Sequence, residues 1–219
     1  VYTVAAGSTT VASNSTDVPV VITIAEGKTL TLENTFANTQ SKVIDASSKS
    51  GMVFEGGNVI LRRDDTGSDK ATEQYFIRAT DGQILFGGPA PQIIGGVEFK
   101  NASTKIAQGI YVRGATSFTE GFDMTLNRSD AAITTPENTT GVHLEGGSLY
   151  TKSATIKMIA GAKDVAMRGI WVEAGGDMQA GSLDLDLDAN NNSVISQTLT
   201  GLVVSSTTAG KAAFLVTGD

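Results

Sequence analysis

Apolar and polar residues alternate along most of this chain. The alternation is strict in TLTLEN from Thr29, FDMTLN from Phe122, TIKM from Thr155 and LDLDLD from Leu183, and VVITI from Val20 follows it less regularly. Alternation of this kind puts one side of an extended segment into a core and leaves the other in solvent, which predicts β-strands. A helix would need apolar positions spaced by three and four over ten residues or more, and no such stretch stands out. Clusters of Gly, Asn, Ser and Thr between the runs, such as ANNNS from Ala189, predict turns.

A second pattern lies over the first. GIYVRG begins at Gly109, GVHLEGG at Gly141, GIWVEAGG at Gly169 and GLVVSS at Gly201. GMVFEGG at Gly51 and a degenerate QYFIRAT at Gln74 extend the series backward. Starts at 51, 74, 109, 141, 169 and 201 are separated by 23, 35, 32, 28 and 32 residues, a mean of 30. Repeats of this size do not bury their apolar faces alone and stack on their neighbours. Aligned on the glycine, the next residue and the one two further on are apolar in every unit and are expected to point inward.

An all-β fold follows: a right-handed parallel β-helix, or solenoid, of about seven coils with roughly 30 residues per coil. An antiparallel sandwich with Gly-rich turns is the competing reading, but it predicts no equivalence at a fixed offset. Residues 1–50 are expected to form a cap or irregular first coils. Residues 51–219 are expected to form regular coils, cut from a longer exported protein, with the last edge continuing into further coils.

Composition narrows the functional classes. With no cysteine in 219 residues, disulfides, thiolate metal sites and cysteine nucleophiles are excluded. A net charge of −7 argues against nucleic acid as a partner. No apolar run approaches the roughly 20 residues of a membrane-spanning helix.

The Gly-start coils GMVFEGG, GIYVRG, GVHLEGG and GIWVEAGG, with the Asn, Ser and Thr-rich turns, the acidic balance and the lack of cysteine, resemble passenger domains of bacterial type V autotransporters and related secreted β-helical adhesins. The resemblance spans essentially the whole chain and is one of style, without a shared motif. It implies export through the outer membrane, a location at the cell surface or outside the cell, and roles ranging from adhesion and self-association to proteolysis and toxicity.

In the glycine alignment the outward position between the two inward ones is held by Val53, Phe76, Tyr111, His143, Trp171 and Val203. Stacked coils would join these into an exposed stripe. Its rings, Phe76, Tyr111, His143 and Trp171, are the candidate binding residues, although mutual packing of the rings would explain them equally well. The next outward row, Glu55, Arg78, Arg113, Glu145, Glu173 and Ser205, suggests an ion-pair ladder.

Asp184, Asp186 and Asp188 in LDLDLD share one outward face and form a weak candidate for Ca²⁺; a straight strand splays such carboxylates, so a solvated acidic face is the plainer account. The oxygen-rich DDTGSD from Asp64 is a comparable candidate. No other cofactor is expected. Polygalacturonase-like GHG and RIK strings, a GDSGS protease segment and a GxGxxG phosphate cradle are all absent, and the single histidine has no identifiable serine partner. Catalysis is therefore not expected. The expected role is adhesion to a host or matrix protein or glycan, with self-association as the alternative and a polysaccharide-degrading enzyme a distant third.

Overall fold

A computed structural model describes residues 2–4, 11–12, 19–34, 40–47, 51–63, 73–95, 106–127, 137–160, 164–190, 199–205 and 212–218. All regular structure among them is strand. The strands are β1 (Tyr2–Val4), β2 (Val11–Ala12), β3 (Val20–Asn34), β4 (Gln40–Ala46), β5 (Met52–Arg63), β6 (Glu73–Ala79), β7 (Gln83–Phe86), β8 (Gln92–Gly95) and β9 (Ile106–Val112). They continue as β10 (Ala115–Phe118), β11 (Phe122–Asn127), β12 (Glu137–Leu144), β13 (Ser148–Ile159), β14 (Asp164–Val172), β15 (Asp177–Asp188), β16 (Leu199–Val204) and β17 (Ala213–Val216).

Two sheets share these strands. Sheet B stacks β2, β4, β6, β9, β12, β14 and β16 in chain order; sheet A takes the rest. The chain crosses from one sheet to the other at every coil, and every pairing among the described residues is parallel. This is a parallel β-solenoid, and it excludes the antiparallel sandwich. In sheet A the long strands β5, β13 and β15 each span a whole rung and β3 does so with a bulge between Ile24 and Thr29, whereas two middle rungs break into β7 with β8 and β10 with β11.

The register corrects the glycine alignment in its first two units. Ile44, Ile77, Ile110, Val142, Ile170 and Leu202 are the equivalent inward positions of sheet B, spaced by 33, 33, 32, 28 and 32 residues. The position before them is Val43, Phe76, Gly109, Gly141, Gly169 and Gly201. QYFIRAT therefore aligns two residues away from where its tyrosine suggests. GMVFEGG lies in sheet A, where Met52 and Phe54 pair with Ile84 and Phe86.

Core packing explains why glycine gives way to Phe76. A Cβ on Gly109 would lie 2.6 Å from the Met124 side chain, and one on Gly169 would lie 2.6 Å from Leu185. Sheet A supplies the bulk in these coils. One coil earlier the arrangement is inverted: Phe76 is fully buried, and a Cβ on Gly95 of β8 would meet its ring at 2.8 Å. Large and small residues change sides while the filled volume is kept, as a close-packed interior demands.

Elsewhere the core repeats like residues. Phe54, Phe86 and Phe118 stack on successive rungs with ring centroids 4.8 and 4.9 Å apart and nearly parallel planes, and Phe122 closes the row at 4.7 Å. Such contacts add about 0.5–1.5 kcal/mol each to the area they bury. Further along, the same inward column narrows to Thr151 and Ala180.

The glycine column yields a stability prediction. In G141V the added Cβ would meet the Gly169 carbonyl oxygen at 2.6 Å, a backbone atom that cannot turn aside. The expected loss is about 3 kcal/mol from overpacking, read from the urea midpoint. An unchanged midpoint would show that this column does not face the core.

Candidate functional site

The predicted stripe is partly assembled. Register places Asp45, Arg78, Tyr111, His143, Trp171 and Val203 on successive outward positions of sheet B. Tyr111, His143 and Trp171 are thus brought together as expected. Phe76 is a core residue two columns away, and Val53 lies on sheet A; both leave the stripe because the glycine alignment is out of register there.

A two-residue inward kink, such as Gly141 with Val142, lets outward side chains from either side of it converge. His143 stacks on Trp171 at 4.3 Å with planes 5° apart, and Tyr111 meets His143 edge-on at 5.3 Å. Tyr75 sits 5.6 Å from Tyr111, the Arg78 guanidinium lies over Tyr75, and the Arg168 guanidinium lies 4.7 Å above Trp171. Asp45 lies one rung before Arg78, 2.9 Å from Lys42 and 3.6 Å from Arg78.

Polar groups lock the rings. The Tyr111 hydroxyl donates to Glu145 at 2.5 Å and Trp171 Nε1 donates to Ser205 Oγ at 3.3 Å. His143 Nε2 lies 3.2 Å from a Glu173 oxygen, and Nδ1 lies 3.3 Å from Gln108 Oε1. Burial, then the hydrogen bond and charge of Glu145, push the Tyr111 pKa up to about 12. His143 is only 5% exposed, and burial pushes its pKa below 6.5 despite the opposing pull of Glu173.

The flanking row changes too. Glu55 belongs to sheet A, where it accepts a hydrogen bond from Thr23 Oγ1, and Arg78 belongs to the central column. Arg113, Glu145, Glu173 and Ser205 do follow one another on successive rungs. Asp184, Asp186 and Asp188 lie at alternate positions on β15. Asp186 pairs with Lys157 at 3.3 Å and Asp188 accepts from the Asn190 backbone N–H. Among the described residues no three acidic or histidine side chains converge as a metal site would require. DDTGSD from Asp64 lies outside the described residues.

A second outward row, on sheet A, escaped the sequence reading. Val21, Val53, Leu85, Ser117, Tyr150, Gln179 and Leu215 pair in sequence across β3, β5, β7, β10, β13, β15 and β17. Val21, Leu85, Tyr150 and Leu215 are 55, 39, 41 and 50% exposed. Two depressions lie on it: one of about 260 Å³ against Val53, Leu85 and Ser117, and one of about 420 Å³ around Tyr150 and Gln179. The signal was present in SLYTK, where alternation from Leu149 turns Tyr150 outward, but no glycine marks that strand as a repeat.

Comparison with known protein families, with curated proteins and with solved structures finds no match.

Two measurements probe the sheet B column. W171A removes the His143 stack and the Arg168 contact; it is expected to cost about 2–3 kcal/mol, below a fully buried tryptophan. A thermal midpoint unchanged by W171A would mean that the stack contributes nothing. His143 has a lowered folded pKa, so the unfolded chain takes up the proton more readily. Its stabilising share is present above pH 6.5 and is lost as pH falls from there through the folded pKa. The thermal midpoint of the natural chain should therefore fall more steeply over that window than that of H143Q. Equal slopes would refute the assignment.

Proposed function

We propose that this chain is a rigid binding segment of an exported bacterial surface protein, working in adhesion to a host or matrix molecule through the outward row of sheet A. The observation that carries this reading is the row itself. Val21, Leu85, Tyr150 and Leu215 keep their apolar surface in solvent on a regular β face, and an exposed apolar row interrupted by small or polar residues suits contact with another molecule.

Sheet B supports the assignment by contrast. Its rings and charges are engaged with one another, which suits a stabilising column better than a contact face. The solenoid fold, the lack of cysteine, the acidic balance and the resemblance to autotransporter passengers favour a surface or secreted location. The reading gives the chain no reaction to catalyse and no resident cofactor.

The test is an array of glycans and matrix proteins probed with the purified chain, beside sedimentation velocity over a concentration series. A ligand is expected whose binding weakens at least roughly tenfold in the double variant L85S/Y150S, each lost anchor removing about 1–2 kcal/mol, with the β-sheet spectrum unchanged. Binding lost instead on substituting Tyr111 would move the contact to sheet B. Association of the chain with itself, without any array ligand, would replace adhesion by self-assembly.

A further inference from the structure

The larger depression on sheet A has a chemistry more specific than a general contact face. Tyr150, 41% exposed, is one of the residues lining it. Its hydroxyl donates to Asp177 Oδ2 at 3.3 Å, and Gln179 Nε2 donates to the same oxygen at 3.1 Å. The ring and the amide are therefore tethered to one carboxylate. Around them lie Ser117, Thr119 and Thr217, whose hydroxyls each donate and accept, and Lys152, whose ammonium is already paired with Glu120.

Gly181 in the lining admits no side chain for a backbone reason: a Cβ there would lie 2.3 Å from the Lys152 carbonyl oxygen. The hollow coincides with the rungs where the core column narrows from phenylalanine to Thr151 and Ala180.

These features select among ligand classes. An anion finds one ammonium, and that one is taken by Glu120. A cation finds no acidic side chain in the lining. A purely apolar ligand would cover the hydroxyls without replacing their hydrogen bonds to water. A neutral sugar offers C–H faces for the tyrosine ring and hydroxyls that donate and accept, matching serine, threonine and the glutamine amide. The depression is open to solvent, with a volume of about 420 Å³.

We infer that the depression around Tyr150 is a subsite for a neutral pyranose unit of a glycan, with the tyrosine ring as its platform and Gln179 and the surrounding hydroxyls as its polar contacts. This rests on the reading of the sheet A row as the contact face, and it names the ligand class.

The experiment is calorimetric titration of the purified chain with neutral oligosaccharides of glucose, mannose, galactose and N-acetylglucosamine, alongside sulfated and uronic-acid oligosaccharides. At least one neutral sugar is expected to saturate a single site. Y150A should weaken it roughly tenfold or more, Q179A should weaken it less, and Y150F should bind within about twofold of the natural chain. T155A, on an outward position of β13 beyond the depression, should bind unchanged.

Circular dichroism and the thermal midpoint of Y150A establish that it is folded. Saturation by no neutral sugar, preference for the charged sugars, or full binding by folded Y150A would each overturn the inference. If no sugar binds but a protein ligand from the array is lost in L85S/Y150S, the subsite falls while the contact face stands. If no ligand of either kind depends on Tyr150, both fall.

Discussion

A parallel rung sits about 4.8 Å from the next, so each residue meets its counterpart one coil away before it meets anything else. Where the register holds, a side chain is therefore chosen against the same position in the coils on either side. Phe54 stacks on Phe86 and Phe86 on Phe118 because that spacing suits nearly parallel rings. The same spacing on the outside of sheet B sets His143 flat against Trp171. One constraint thus produces a dry phenylalanine column inside and a polar aromatic column outside. The difference lies in what surrounds the rings.

Across the core the constraint is looser, and it acts on summed volume. Gly109 faces Met124 and Gly169 faces Leu185, whereas one coil earlier Phe76 faces Gly95. Either arrangement fills the space between the sheets. Only the sum is constrained by packing, so a small residue on one sheet requires a large one on the other without dictating which sheet carries it. Glycine is a marker of coils only while its partner stays large.

This explains what could be read from the chain and what could not. Alternation in FDMTLN and LDLDLD identifies strands because the inward and outward residues differ in kind, and the evenly spaced glycines from Gly109 to Gly201 identify coils. Phe76 defeats the glycine alignment because its partner at Gly95 carries the small residue instead. GMVFEGG misleads for another reason: Gly56 and Gly57 lie inside β5, where a Cβ would strike the Ile24 and Ala25 carbonyl oxygens, whereas Gly146 and Gly147 of GVHLEGG carry the chain from sheet B to sheet A. Similar strings serve different backbone needs. Tyr150 stayed hidden because an outward residue on a strand without glycine carries no mark of its place in a column.

The two outward faces differ in how far their groups are already satisfied. On sheet B the Tyr111 hydroxyl, both nitrogens of His143, the Trp171 N–H and the Arg168 guanidinium all have partners on the same or neighbouring rungs. A ligand there would have to displace contacts that hold the face together. On sheet A, Asp177 orients Tyr150 and Gln179 by their polar ends and leaves part of the tyrosine in solvent. Holding a side chain by one end while exposing the rest lowers the ordering cost of any contact made with the exposed part. Stacking stabilises the outward column of sheet B, whereas sheet A holds Tyr150 by its hydroxyl and leaves part of its ring open to a partner.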